Sequence, residues 1–130
     1  MSMLYTNSLL MLERALNFQW TKQSAINDNI VNAETPNYKA KYVTFEEALD
    51  SSIRSALRRP DHPMSSMRSA IDRAQPVVHV AENESTRMDD NGVNVGEQLV
   101  EATRNTYQIQ YVMDSMNSDL TRLRAAIRGQ

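Results

Sequence analysis

Few side chains in this sequence are of types that make or break bonds. It holds no cysteine and two histidines, so thiolate nucleophiles, thiolate metal sites and disulfides are excluded and imidazole chemistry is confined to His62 and His79. Those histidines follow neither the H-x-x-x-H nor the H-E-x-x-H spacing that sets two ligands on one helix face, so no metal site is expected. The run Asp89-Asp90-Asn91-Gly92 has the look of a calcium loop. Aligning Gly92 with that loop's glycine, however, puts Arg87 at the first ligand position and Gln98 at the last, where anionic oxygens are required, so the run is expected to be a turn. Ser51, Ser52, Ser65, Ser66 and Ser115 have no histidine at a triad-like spacing. Gly92, Gly96 and Gly129 are the only glycines, which leaves no phosphate-cradling loop, and Asn83-Glu84-Ser85 is too short a glycosylation pattern to weigh. No catalytic, cofactor or metal residue is therefore expected, and the chain reads as non-enzymatic.

Composition agrees. A chain of 130 residues is one domain's length, and 6% aromatic residues with a mean hydropathy of -0.55 provide thinly for a compact enzyme with a formed pocket. A net charge of -2 gives no electrostatic reason for nucleic acid or an anionic membrane as a partner. The longest apolar run, Leu9 to Leu12, is neither a membrane span nor the core of a cleavable secretory signal, so any export requires another route.

The elements that would carry a function by contact are helices at the two ends. From Asn7 to Asn32, with Thr6 or Asn7 as cap, Leu9, Leu12, Leu16, Ile26 and Ile30 keep a 3-4 register broken by Gln19 and Gln23. From Val95 to Arg128 the register is cleaner: Leu99, Ala102, Thr106, Ile109, Met113, Met116, Leu120, Leu123 and Ile127. Asn94 with Glu97 forms a capping-box pattern at its start. Such narrow seams suit helix pairing as a coiled coil rather than covering a sheet, and polar or small residues on them (Gln19, Gln23, Ala102, Thr106) select register and partner. Tyr107 and Tyr111 share one side of this helix and could meet Phe18 or Trp20. Between the ends, Tyr38 to Val43 alternates like a short extended segment, and Thr44 with Glu47 should cap a brief helix with Phe45, Leu49, Ile53 and Leu57 on one face, ended by Pro60. From Asp61 to Asp90 no period is sustained; a loop is expected, with a short strand around Val77, Val78 and Val80 and a turn at Asp90-Asn91-Gly92. Arg54, Arg58, Arg59, Arg68 and Arg73, followed by Glu82, Glu84, Asp89 and Asp90, read as a solvated surface.

The most informative stretch is the end of the first helix. Asn27, Asn29 and Asn32 can turn their amides onto nearby backbone, and Pro36 forbids continuation and favours an extended Thr35. The pattern N-I-x-N-A-x-T-P-x-Y, carried by Asn29, Ile30, Asn32, Ala33, Thr35, Pro36 and Tyr38, resembles the N-terminal signature of the bacterial flagellar axial proteins, the rod, hook and hook-associated subunits. The continuation Lys39-Ala40-Lys41 with Phe45 to Leu49, and the helix opening at Asn91-Gly92-Val93-Asn94-Val95, are similar to the proximal rod subunits of that family. Asn37 stands where these proteins often carry glycine, and asparagine is the residue that next best tolerates a left-handed turn.

The resemblance implies a mostly α fold: long N- and C-terminal helices pairing as a coiled coil, a short central helix and a largely irregular middle with at most a short strand. It divides the chain into 1–35, the axial helix and its Asn-rich break; 36–60, the extended segment and short helix; 61–93, a mobile loop region; and 94–130, the C-terminal helix. It further implies a rod subunit of the basal body in the periplasm, exported by the flagellar type III apparatus without a cleaved signal peptide and self-associating within the rod. Its implied neighbours are the rod proteins FlgC and FlgF, the adaptor FliE, the membrane ring and the export gate. The terminal helices are expected to be poorly packed in the monomer and to order on assembly. The alternative from the same seams is a soluble helical adaptor or export chaperone that binds a partner's helix in a groove.

Overall fold

A computed structural model of the chain describes residues 6–58, 63–82 and 92–129. In chain order the elements are α1 (Asn7–Val31), β1 (Lys41–Thr44), α2 (Glu46–Leu57), α3 (Pro63–Arg73), β2 (Val77–Val80) and α4 (Val95–Arg128). The fold is mostly helical, with one two-stranded antiparallel sheet between the terminal helices.

The long helices begin and end where their caps dictate. Thr6 accepts the Leu9 amide through its hydroxyl at 3.1 Å, and Asn94 accepts the Glu97 amide through its side chain at 3.3 Å. Gly129 closes α4 at φ 70, a left-handed conformation that glycine adopts without a Cβ penalty. At 34 residues α4 is about 51 Å long. It runs antiparallel to α1: the Ser8 hydroxyl donates to Asp119 at 3.0 Å at one end of the pair, and Asn29 donates to Gln98 at 2.9 Å at the other. Beyond Asp119, α4 extends past the described start of α1. No helix among the described residues is long and apolar enough to cross a membrane.

Of the other described elements, β1 and α3 pack on α1. Phe45 is buried and stacks on Phe18 with ring centroids 5.5 Å apart, so Phe18 is engaged within the chain. The helices α2 and α3 pair through small residues, with Ala56, Ala70, Ile71 and Ala74 buried, and Arg14 bridges α1 to Asp72 of α3 at 2.7 Å. β1 lies against α1 and pairs with β2 in the register Lys41 to Val80, Tyr42 to His79, Val43 to Val78 and Thr44 to Val77.

Two details depart from the sequence reading. Residues 63–73 are helical where a loop is expected; Met67, Ala70, Ile71 and Ala74 fall at i, i+3, i+4 and i+7 and form the inner face of α3, a period too short to stand out from the irregular sequence around it. Thr44 does not cap α2. The residue flanking that helix is Phe45, which makes no side-chain cap bond, and the Thr44 hydroxyl instead meets His79 Nε2 across the sheet at 2.7 Å. The cross-strand partner wins because Thr44 is still paired in the β ladder and its side chain follows the strand. Pro60, the turn at Asp90-Asn91 and the Asn83-Glu84-Ser85 pattern lie outside the described residues.

The caps therefore differ in their effect. Asn94→Ala should lower the folding free energy by about 1 kcal/mol in a thermal or urea melt. Thr44→Ala should leave the helical signal of α2 unchanged in circular dichroism while loosening the hairpin, seen as faster amide exchange at β2.

Candidate functional site

The break after α1 is built from its own amides. Asn32 is the C-cap; its backbone N–H and its side-chain Nδ2 both donate to the Asp28 carbonyl, at 3.0 and 2.8 Å. Thr35 N–H donates to the Asn32 carbonyl at 2.9 Å and Tyr38 N–H to the Thr35 carbonyl at 3.3 Å, two successive tight turns that carry the chain over Pro36. In the second turn, just after Pro36, Asn37 sits at φ 62, the only left-handed non-glycine residue among those described. Ala33 is buried under the turn, whereas Thr35, Pro36 and Asn37 are exposed.

Turning the chain here delivers β1 to Asn29, whose side chain is wholly buried. Its Nδ2 donates to the Lys41 carbonyl at 2.8 Å and to Gln98 Oε1 of α4 at 2.9 Å, while its Oδ1 accepts the Lys41 amide at 2.7 Å and the Tyr38 hydroxyl at 3.3 Å. The carboxamide thus meets the backbone of Lys41 as a neighbouring strand's peptide would, donor to acceptor and acceptor to donor. Every donor and acceptor of the group is used, which is what makes a buried amide tolerable. Burial raises the Tyr38 phenol above its ordinary pKa, with the Lys41 ammonium pulling the other way. Lys41 reaches back to Asp28 at 3.1 Å, and that carboxylate raises its pKa.

A second buried amide joins the terminal helices farther along. Asn105, also wholly buried, donates to the Gln19 carbonyl and to Gln23 Oε1, both at 2.9 Å. Lys22 bridges to Glu101 at 3.2 Å beside it. The facing acceptors Gln19 Oε1 and Asn105 Oδ1 are buried and have no hydrogen-bond partner among the described residues. The α1–α4 interface is therefore joined by the side-chain amides of Gln23, Asn29, Gln98 and Asn105 and by the backbone carbonyl of Gln19.

These amides set how α4 is rotated. In α1, Leu9 and Ile26 are buried and Leu12, Leu16 and Ile30 half-buried. In α4 the nine positions of the apolar seam do not share one environment: Ala102, Ile109, Met116 and Leu123 are half-buried, while Leu99, Met113, Leu120 and Ile127 are 53%, 48%, 38% and 64% exposed, and Thr106 is exposed too. The inner face is centred nearer Asn105 and Val112, a rotation of roughly 60° from the centre of the apolar seam at 3.6 residues per turn. Apolar spacing alone could not anticipate this, because Gln98 and Asn105 lie off the seam. The signal available was the polar pair Gln19 and Gln23 on α1, which need amide partners opposite. Tyr107 and Tyr111 are exposed and Trp20 is about half exposed.

Residues that might have carried chemistry are engaged structurally or dispersed. His79 stacks on Tyr42 with centroids 5.0 Å apart in addition to its Thr44 contact, and no three histidine, aspartate or glutamate side chains converge on a common point among the described residues. His62, Arg59, Glu84, Asp89 and Asp90 lie outside them. What the paired terminal helices leave exposed includes the apolar column Leu99, Met113, Leu120 and Ile127 of α4.

The two buried amides should differ in weight. Asn29→Ala orphans the Lys41 peptide, Tyr38 and Gln98 together and should cost about 3 kcal/mol in urea denaturation. Asn105→Ala also removes an unpaired acceptor and should cost about 1 kcal/mol. Equal losses in the two variants would contradict the clamp.

No family model matches the chain. A curated protein of Bacillus subtilis (strain 168), named flagellar basal body rod protein FlgB, is 31% identical over 132 residues, an alignment that covers 97% of each chain. Agreement end to end at that level, on a mostly helical fold with its termini paired, shows the family: the chain belongs to the FlgB-type flagellar basal body rod proteins.

Proposed function

We propose that the chain is a non-enzymatic structural subunit of the proximal flagellar rod, and that it assembles by burying the outer column of α4 against helices of neighbouring subunits. The observation that carries this reading is the exposure of Leu99, Met113, Leu120 and Ile127 after the chain has folded on itself, one column of a seven-residue repeat whose remaining position is Thr106. An apolar column of that period matches the knobs of a coiled coil and fits another helix better than a flat surface or a small ligand. Leu9, Leu12, Leu16, Ile26, Ile30, Ile109, Met116 and Leu123 contribute the half of the seam that holds the subunit together, and the signature residues from Asn29 to Tyr38 fix the angle at which the chain leaves the helical hairpin.

On this reading the chain meets copies of itself and other rod proteins such as FlgC and FlgF, with FliE, the membrane ring and the type III export gate at the base of the rod. It reaches the periplasmic rod through that gate rather than by a cleaved signal. Association covers the part of α4 beyond Asp119, whose Ile127 is 64% exposed, so helix stability and subunit docking are coupled.

Leu120→Asp should lower the stability of the isolated chain only modestly, since Leu120 is 38% exposed, but should block rod incorporation and motility, because a carboxylate buried without a partner costs several kcal/mol. Motile cells carrying this variant would overturn the packing scheme. Ile30→Asp should block incorporation as well, and should lower the melting temperature because Ile30 is half-buried within the chain. Circular dichroism of the purified parent should gain helix as concentration rises; a concentration-independent, fully helical monomer would favour a stable adaptor instead.

A further inference from the structure

The two edges of the β1–β2 sheet are treated differently. On the β1 side, the N–H and C=O of Lys41 point away from β2 and are taken by Asn29, at 2.7 and 2.8 Å. On the β2 side no third strand pairs among the described residues. The rung at Ala81, whose N–H donates to the Ala40 carbonyl at 2.9 Å, sets the alternation: Val77 and His79 turn their peptide groups toward β1, and Val78 and Val80 turn theirs outward. Val77, Val78 and Val80 are 44%, 51% and 53% exposed, and β2 itself carries no lysine, proline or carboxylate of the kind that blunts an edge.

We propose that this edge pairs with the same edge of a second copy of the chain, joining two sheets as β1–β2–β2–β1 about a two-fold axis. A row of outward peptide groups pairs in register with an extended backbone, and in a second copy the outward Lys41 peptide of β1 is already taken by Asn29, so β2 is the strand that remains to offer among those described. Two-fold antiparallel pairing centred on His79 sets Val78 opposite Val80 of the other copy twice over and uses all four outward N–H and C=O groups of each strand. Centring on Val78 instead would bring Pro76, which has no N–H, opposite Val80. The chosen register places two β-branched pairs on one face and the two imidazoles side by side on the other, each stacked on its own Tyr42. With only 4 residues in the strand, the contact is smaller than a standard interface of about 1,600 Å² and forms as a weak, concentration-dependent dimer. It closes at two copies and so does not propagate into a filament. It is independent of the rod reading.

The absence of cysteine permits a direct test on the full chain. His79→Cys, placed in a Leu120→Asp background so that association along α4 is removed, should cross-link to a covalent dimer under mild oxidation, because non-hydrogen-bonded antiparallel neighbours lie within disulfide reach. The exposed control Ser55→Cys in the same background should cross-link only at the rate of random collision. Adding Val78→Pro, which removes an outward N–H and leaves the β1 rungs intact, should reduce cross-linking at position 79 by about tenfold. Since His79→Cys also removes the Thr44 contact, sedimentation of the Leu120→Asp chain with native His79 gives a second readout: a dimer that grows with concentration and is lost on Val80→Lys. Cross-linking at 79 no faster than at 55, or a sedimentation profile unchanged by Val80→Lys, would overturn the proposal.

Discussion

The carboxamide of Asn29 is the interaction on which the arrangement depends. A side-chain amide offers a donor and an acceptor in one rigid plane, as a peptide does, and here it substitutes for the strand that a two-stranded sheet lacks on its inner side. One residue therefore ties α1 to β1 through the Lys41 backbone, to the turn through Tyr38 and to α4 through Gln98. No aliphatic residue could hold these three elements together, and an aspartate would lack the donors that two of the four contacts need. Two-stranded sheets are marginal alone, so the clamp also explains why β1 and β2 persist against a helix.

The same chemistry decides which part of α4 faces inward. An unpartnered amide in an interface costs more than a half-exposed leucine, so the helices rotate until Asn105 and Gln98 meet the amides of α1, and the apolar seam is split into two columns. One column closes the hairpin. The other stays in water with leucine, methionine and isoleucine on it, and the contact surface of the subunit is the residue of that compromise. Asn105 satisfies its donors but not its acceptor, which marks this second clamp as a device for register more than for stability.

The sheet shows the asymmetry that a single clamp creates. Its inner edge is satisfied by a side chain and needs no further strand, whereas its outer edge presents valines and unpaired peptide groups in one short row. Both exposed features, the edge of β2 and the outer column of α4, are regular arrays that specify the geometry of a partner, an extended backbone in one case and a helix in the other. They lie on different elements, so either can be occupied without the other.

By itself the sequence determined what local rules govern. Asn94 and the glycine at 129 bounded α4, Thr6 began α1, Pro36 and the asparagines ended it, and Asn37 marked the left-handed turn seen at φ 62. Each depends on the conformational preference of one residue or on hydrogen bonds a few positions away. The signature at the end of α1 likewise carries the family resemblance in residue types alone. Tertiary structure alone decided the diversion of the Thr44 hydroxyl to His79 and the rotation of α4. Those outcomes turn on which groups meet across the fold. Asn29 pairs with Gln98, and Asn105 with Gln23, over most of the chain's length, and a hydrophobic pattern read along one helix carries no information about the amides waiting on the other.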